Sequence, residues 1–162
     1  MITRLSAKLL ATFLVVSLVL VFPHNQVAAV ADGNVITAAG AGEFPAGASF
    51  NTIQLAGGTF GLGVQTTTTS TANGDFEYQL NGSSLVGLSQ WITITGWITS
   101  GTVDANGGMT FNGTGTLDMG DGSVPTGGLA LVVTLTTSSL TVTIGSTAVP
   151  ALPKSDGWIF IE

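Results

Sequence analysis

Beyond residue 34, apolar side chains recur at every second position. Phe60, Leu62 and Val64 alternate with Gly61, Gly63 and Gln65, and Phe76, Tyr78 and Leu80 with Asp75, Glu77 and Gln79. Ile92, Ile94 and Ile98 alternate with Thr93, Thr95 and Trp97, and Leu140, Val142 and Ile144 with Thr141 and Thr143. Period two puts one set of side chains on each face of an extended chain, the mark of a half-buried strand. No stretch here has helical spacing. The pattern predicts strands at 35–41, 51–56, 59–67, 75–80, 91–100, 109–119, 129–136 and 140–144, and a last one at 157–161.

Turn residues separate these runs. Asn73-Gly74 precedes Asp75, and Asp104-Ala105-Asn106-Gly107-Gly108 follows Val103. Thr137-Ser138-Ser139 lies between two further runs. Asn-Gly supplies the positive φ of tight hairpins. Turns this short join antiparallel strands, because parallel ones need long crossovers. The expectation is an all-β, antiparallel up-and-down barrel of about eight or nine strands, with a β-sandwich as the alternative. Glycines inside the strands (Gly61, Gly63, Gly96, Gly113, Gly115) suggest bending and tilt the choice to a barrel. The strand Trp158-Ile159-Phe160-Ile161 offers an edge to pair with an early one.

The first segment differs. Arg4 and Lys8 precede an apolar run from Leu9 to Phe22, and small residues follow at Val27-Ala28-Ala29-Val30-Ala31. This order reads as a helical secretory signal peptide, residues 1–31, cut after Ala29-Val30-Ala31, with Val27-Ala28-Ala29 as the second choice of site. The apolar run is shorter than the ~20 residues a spanning helix needs. Residues 32–162 would then be a single domain, with no membrane attachment after cleavage. Its expected location is secreted, periplasmic or at the cell surface.

Composition narrows the chemistry. The 162 residues include 23 Gly, no Cys, one His and 7% charged residues, with a net charge of −6. Without Cys there are no disulfides, thiolate metal sites or thiol nucleophiles. Loss of residues 1–31 removes Arg4, Lys8 and His24. Lys154 then stands alone against nine carboxylates, a net charge of −8 (one minus nine). One lysine cannot neutralise a phosphate backbone, so nucleic acid is excluded as a partner. Anionic lipid is excluded for the same reason. A Ser-His-Asp or Cys-His nucleophile cannot be assembled.

Three segments, Ala39-Gly40-Ala41-Gly42-Glu43-Phe44, Thr59-Phe60-Gly61-Leu62-Gly63-Val64 and Asp75-Phe76-Glu77-Tyr78, resemble a loose group of bacterial secreted all-β domains. Those domains open with a Gly-x-Gly strand, continue with a Phe-Gly strand and follow with one ending in an aromatic pair. The resemblance spans about the first half of the chain beyond the leader. The Arg- and His-containing positions often seen in that group have no counterpart here. The group has no assigned activity, so the resemblance implies fold and export but no function.

Few residues are candidates for a site. Trp91, Thr93, Thr95 and Trp97 share one strand face, with the tryptophans about 20 Å apart. Large aromatics are mostly core, which predicts that Trp91 and Trp97 cap the ends of the interior. Turned outward, they would form a ring platform for sugars or small apolar ligands. Tyr78 joins them as a candidate ligand-binding residue of a barrel mouth. Asp118 and Asp121, in a Gly-rich loop, are a weak calcium pair that misses the EF-hand spacing and reads better as a turn. Asp75 and Glu77 could act as acid and base, but an i, i+2 pair is ordinarily the wet side of a sheet. Thr-x-Thr repeats at 93–95, 114–116, 134–136 and 141–143 raise ice binding, without the fixed period that surface needs. Asn81-Gly82-Ser83 and Asn112-Gly113-Thr114 match the glycosylation sequon and also read as turns.

The expected function is a non-enzymatic binding or structural surface domain needing no cofactor. The alternatives are a carbohydrate- or small-ligand-binding barrel and, less favoured, a hydrolase or isomerase using carboxylates, Tyr78 and hydroxyls. Self-association through sheet edges is a further expectation, favoured by low charge density and opposed by the net charge.

Overall fold

The computed structural model describes residues 33–66, 70–104 and 107–162. The signal-peptide reading of residues 1–31 falls outside the described residues. Asp32–Glu162 form one compact unit. Ten strands make it up: β1 (Val35–Glu43), β2 (Ser49–Phe50), β3 (Ile53–Thr66), β4 (Thr71–Ser83), β5 (Ser89–Val103), β6 (Met109–Asp118), β7 (Thr126–Leu135), β8 (Ser139–Ile144), β9 (Thr147–Pro153) and β10 (Asp156–Ile161). They form a single sheet in the order β10-β1-β3-β4-β5-β6-β7-β8-β9, with β2 paired to β3. From β2 to β9, each strand pairs antiparallel with the next in sequence, as the short turns dictate. The last strand returns to pair with β1.

The sheet curls strongly into a half-barrel rather than stacking as a sandwich. Its inner face is the core. Cross-strand rows such as Phe60–Tyr78–Ile94–Leu117 and Phe111–Val133–Val142–Val149 meet there. Ile36, Leu80, Ile94, Ile98, Phe111 and Leu135 are wholly shielded from solvent. No polar or charged residue is buried among the described residues, so burial of apolar area is the driving term.

Glycine sets the curl at specific places. A Cβ on Gly113 would collide with the Trp97 carbonyl oxygen, and one on Gly96 with the Leu131 side chain. The two ends of the sheet converge at one corner. There a Cβ on Gly42 would collide with the Pro153 carbonyl oxygen. The Lys154 N–H donates to the Ser138 carbonyl at 2.8 Å, and the Ser155 N–H to the Ala41 carbonyl at 3.0 Å. From this corner β9 and β10 diverge, β9 along β8 and β10 along β1, and they remain the two edges of the sheet.

Several expectations need correction. Asn73-Gly74 is not a turn but lies inside β4, beside a register shift between Thr71 and Gly74. Gly74 is there because a Cβ would collide with the Gly63 carbonyl across the ladder. The two strands expected at 51–56 and 59–67 are one strand, β3, carried past a register shift between Leu55 and Gly57. The sequon asparagines Asn81 and Asn112 sit in β4 and β6, not in turns. Strand β9 has no counterpart among the expected strands, and it carries Pro150 and Pro153. Proline is tolerated there because β9 is an edge, where a missing N–H breaks no second ladder. The turn after Val103 matches expectation: the Asp104 N–H donates to the Gly108 carbonyl at 2.8 Å, and Gly107 has φ +79°.

This packing predicts two stability effects, both measurable by urea denaturation. Phe111→Ala should cost about 3–5 kcal/mol through a core cavity. Gly113→Ala should cost about 1–3 kcal/mol by forcing β5 and β6 apart.

Candidate ligand-binding face

Strand parity decides which side chains are available for a site. Ile92, Ile94 and Ile98 of β5 are buried, so Trp91, Thr93, Thr95 and Trp97 point outward. Trp91 is 63% exposed and Trp97 49%. The expectation that large aromatics cap the core is therefore overturned. The inner face is already filled by Phe76, Tyr78 and Phe111, and parity leaves the tryptophans no route inward.

The registers place them among named neighbours. Trp97 stands opposite Asp75 on β4 and Thr114 on β6. The same row runs on through Gly63 and Thr37 to Phe160 on β10. The adjacent row holds Thr116, Thr95, Glu77, Gly61, Ala39 and Trp158. Trp91 belongs to a row with Asn81, Gly57 and Glu43. Trp158 and Phe160, 54% and 52% exposed, thus face the same way as Trp97, four strands away. Sequence reasoning found the strand 157–161 but not this alignment, which depends on long-range register. Alternation within 157–161 still separates Trp158 and Phe160 from Ile159 and Ile161.

Between these aromatics the surface is low. Gly61 and Gly63 form its floor, and a Cβ at either would meet no atom within 4 Å. Neither has a left-handed backbone. Neither packing nor dihedral angle requires glycine at these two positions, unlike Gly74 or Gly113. A depression of about 390 Å³ is lined by Gly61, Gly63, Asp75, Glu77 and Thr95. One of about 360 Å³ beside it is lined by Asp75, Trp97, Thr114 and Thr116. A third, of about 270 Å³, lies between Glu43, Thr59, Gln79, Asn81 and Trp91. Inside this area the Gln79 side-chain amide donates to Glu77 Oε1 at 2.8 Å, which fixes a carboxylate and an amide side by side.

The other candidates do not join this face. Tyr78 lies on the inner face, 1% exposed, tilted against Phe76 at a ring distance of 6.2 Å. The sheet separates it from Asp75 and Glu77, so the three cannot form one reaction centre. Its hydroxyl is buried without a hydrogen-bond partner, and burial holds its pKa well above the usual phenol value. Asp118 Oδ1 accepts from the Gly120 N–H at 2.8 Å and Asp121 Oδ1 from the Ser123 N–H at 2.9 Å. Hydrogen bonds from Ser123 hold the Asp121 carboxyl below its ordinary value. Each carboxylate shapes its own turn, and no cluster of three or more metal-ligating side chains occurs among the described residues. Thr95 and Thr116 adjoin, as do Thr110, Thr134 and Thr141, but Trp97, Ala130 and Val132 separate the two groups. The chain matches no protein-family model, no curated protein and no solved structure.

Tyr78 is the only tyrosine, so its ionisation can be followed by ultraviolet absorbance. The folded protein should show no phenolate as pH passes 10.0, the ordinary value. Above that pH the unfolded chain loses the proton first, so stability should fall as pH rises and be unaffected below it. Tyr78→Phe should remove this decline and raise stability by about 1–3 kcal/mol, because a buried hydroxyl without a partner is deleted.

Proposed function

We propose that the chain is a secreted, non-enzymatic binding module whose outer sheet face takes a neutral saccharide. The observation that carries the reading is the outward Trp97, in one cross-strand row with Asp75 and the unforced Gly63 and next to the row of Gly61, with a second outward ring, Trp91, farther along β5. Exposed rings offer flat apolar faces to a pyranose. Asp75, Glu77, Gln79, Asn81 and the threonines between them supply donors and acceptors for hydroxyl groups. The excess of carboxylates disfavours phosphate and acidic sugars and leaves a neutral ligand. Export is supported by the basic, apolar and small-residue order of the first 31 residues. A filled interior favours this surface over a ligand held inside the barrel, and the opposite placement of Tyr78 and Asp75 disfavours the hydrolase.

The test is binding of the full chain, expressed in an exporting host, to a panel of neutral polysaccharides, read by affinity electrophoresis and tryptophan fluorescence. Retardation by at least one glucan, mannan or xylan is expected. Trp97→Ala and Trp91→Ala should each weaken it about tenfold, equivalent to about 1.4 kcal/mol. Gly63→Ala should weaken binding while stabilising the fold by about 0.5–1 kcal/mol, since glycine in a strand carries an entropic cost. Unretarded migration across the panel, or release of cleaved sugar, would sink the reading.

A further inference from the structure

We infer that β10 is a dimerisation strand, which pairs antiparallel with the β10 of a second copy of this chain. Three independent features of the edge lead there.

The first is the backbone. Glu162 and Val35 exchange both N–H···O bonds, at 2.9 Å each. Antiparallel alternation then directs Phe160 and Trp158 to β1 and leaves the N–H and C=O groups of Ile159 and Ile161 facing away from it. Among the described residues β10 has a neighbour on one side only. These groups are a template for an added strand.

The second is the side chains. Trp158 and Phe160 are exposed on the outer face, and Ile161 is 44% exposed on the other. A strand apolar on both sides has the composition of a central strand, not of an edge. Any strand that covers it must be apolar on both faces too, and a copy of β10 meets that condition. With Ile159 opposite the partner's Ile161, the two Phe160 rings stand side by side across the twofold axis. Glu162 then lies opposite the partner's Trp158, and Asp156 falls outside the paired stretch, so no carboxylate faces another.

The third is the contrast between the two edges. β9 carries Pro150 and Pro153 at the opposite end of the sheet, which blunts that edge against pairing. β10 carries no proline and no charge between Asp156 and Glu162. One open edge and one blunted edge permit a closed twofold pair and stop a growing filament.

The opposing force is charge, since each copy carries an excess of carboxylates. Salt screens this repulsion, so association should tighten with ionic strength. The test is sedimentation velocity on the full chain recovered from an exporting host, over a range of concentration and from low to high sodium chloride. A monomer–dimer equilibrium that shifts to dimer as salt rises is expected. Phe160→Glu places two carboxylates together on the axis and should weaken the dimer at least tenfold. Ile159→Pro deletes an N–H that β1 does not use and should do the same. Circular dichroism identifies which variant retains the fold, and a folded one suffices to decide. A monomer under every condition, a dimer unmoved in a folded variant, or growth past the dimer would overturn the assignment.

Discussion

Among the described residues no helix covers the sheet, and such a sheet can bury one face only by bending around that face. Here the bend is fixed where backbones approach too closely for a side chain. Gly113 lies against the Trp97 carbonyl, Gly74 against that of Gly63, and Gly42 against that of Pro153. These contacts bring β1 and β9 together at one corner, and the interior then fills with side chains from both ends of the sheet. The charge distribution follows from the same geometry. With the inner face apolar but for the Tyr78 hydroxyl, every described carboxylate is left on the outside or in a turn, and nothing ionisable but Tyr78 is buried among the described residues.

Much of this was legible in the chain. Period two identified the faces of β4, β5 and β8, because each strand has one side against the core and one in water. The turn at 104–108 was legible because glycine there does adopt positive φ. Asn73-Gly74 misled for a matching reason. Glycine serves two purposes, left-handed backbone and close approach, and the dipeptide does not say which. Only the partner strand does, through the Gly63 carbonyl. Strand β9 carries Pro150 and Pro153, which exclude a central strand but not an edge, so residue type alone does not reveal it.

The candidate site was legible in part. Trp91 and Trp97 were placed on one face of one strand, which parity guarantees. The general tendency of aromatics to be core then pointed the wrong way, because it ignores that Ile92, Ile94 and Ile98 had already claimed the inside. Tyr78 was grouped with the tryptophans by residue type, yet its parity matches Phe76 and Leu80. The row linking Trp97 through Asp75 and Gly63 to Phe160 spans residues 37 to 160 and depends on four registers. No local pattern contains that information.

What distinguishes the outer face is what the fold does not demand of it. Stability resides inside, where a lost methyl leaves a cavity and an added one meets a carbonyl. Outside, Gly61 and Gly63 touch nothing that a Cβ would disturb, and threonine or valine at either would raise strand propensity. The two exposed tryptophans likewise leave apolar surface in water that burial would have recovered. A chain selected for stability alone has no reason to keep open ground between aromatic rings. The proposed binding function would account for features that cost stability, gather on one surface and have no structural cause.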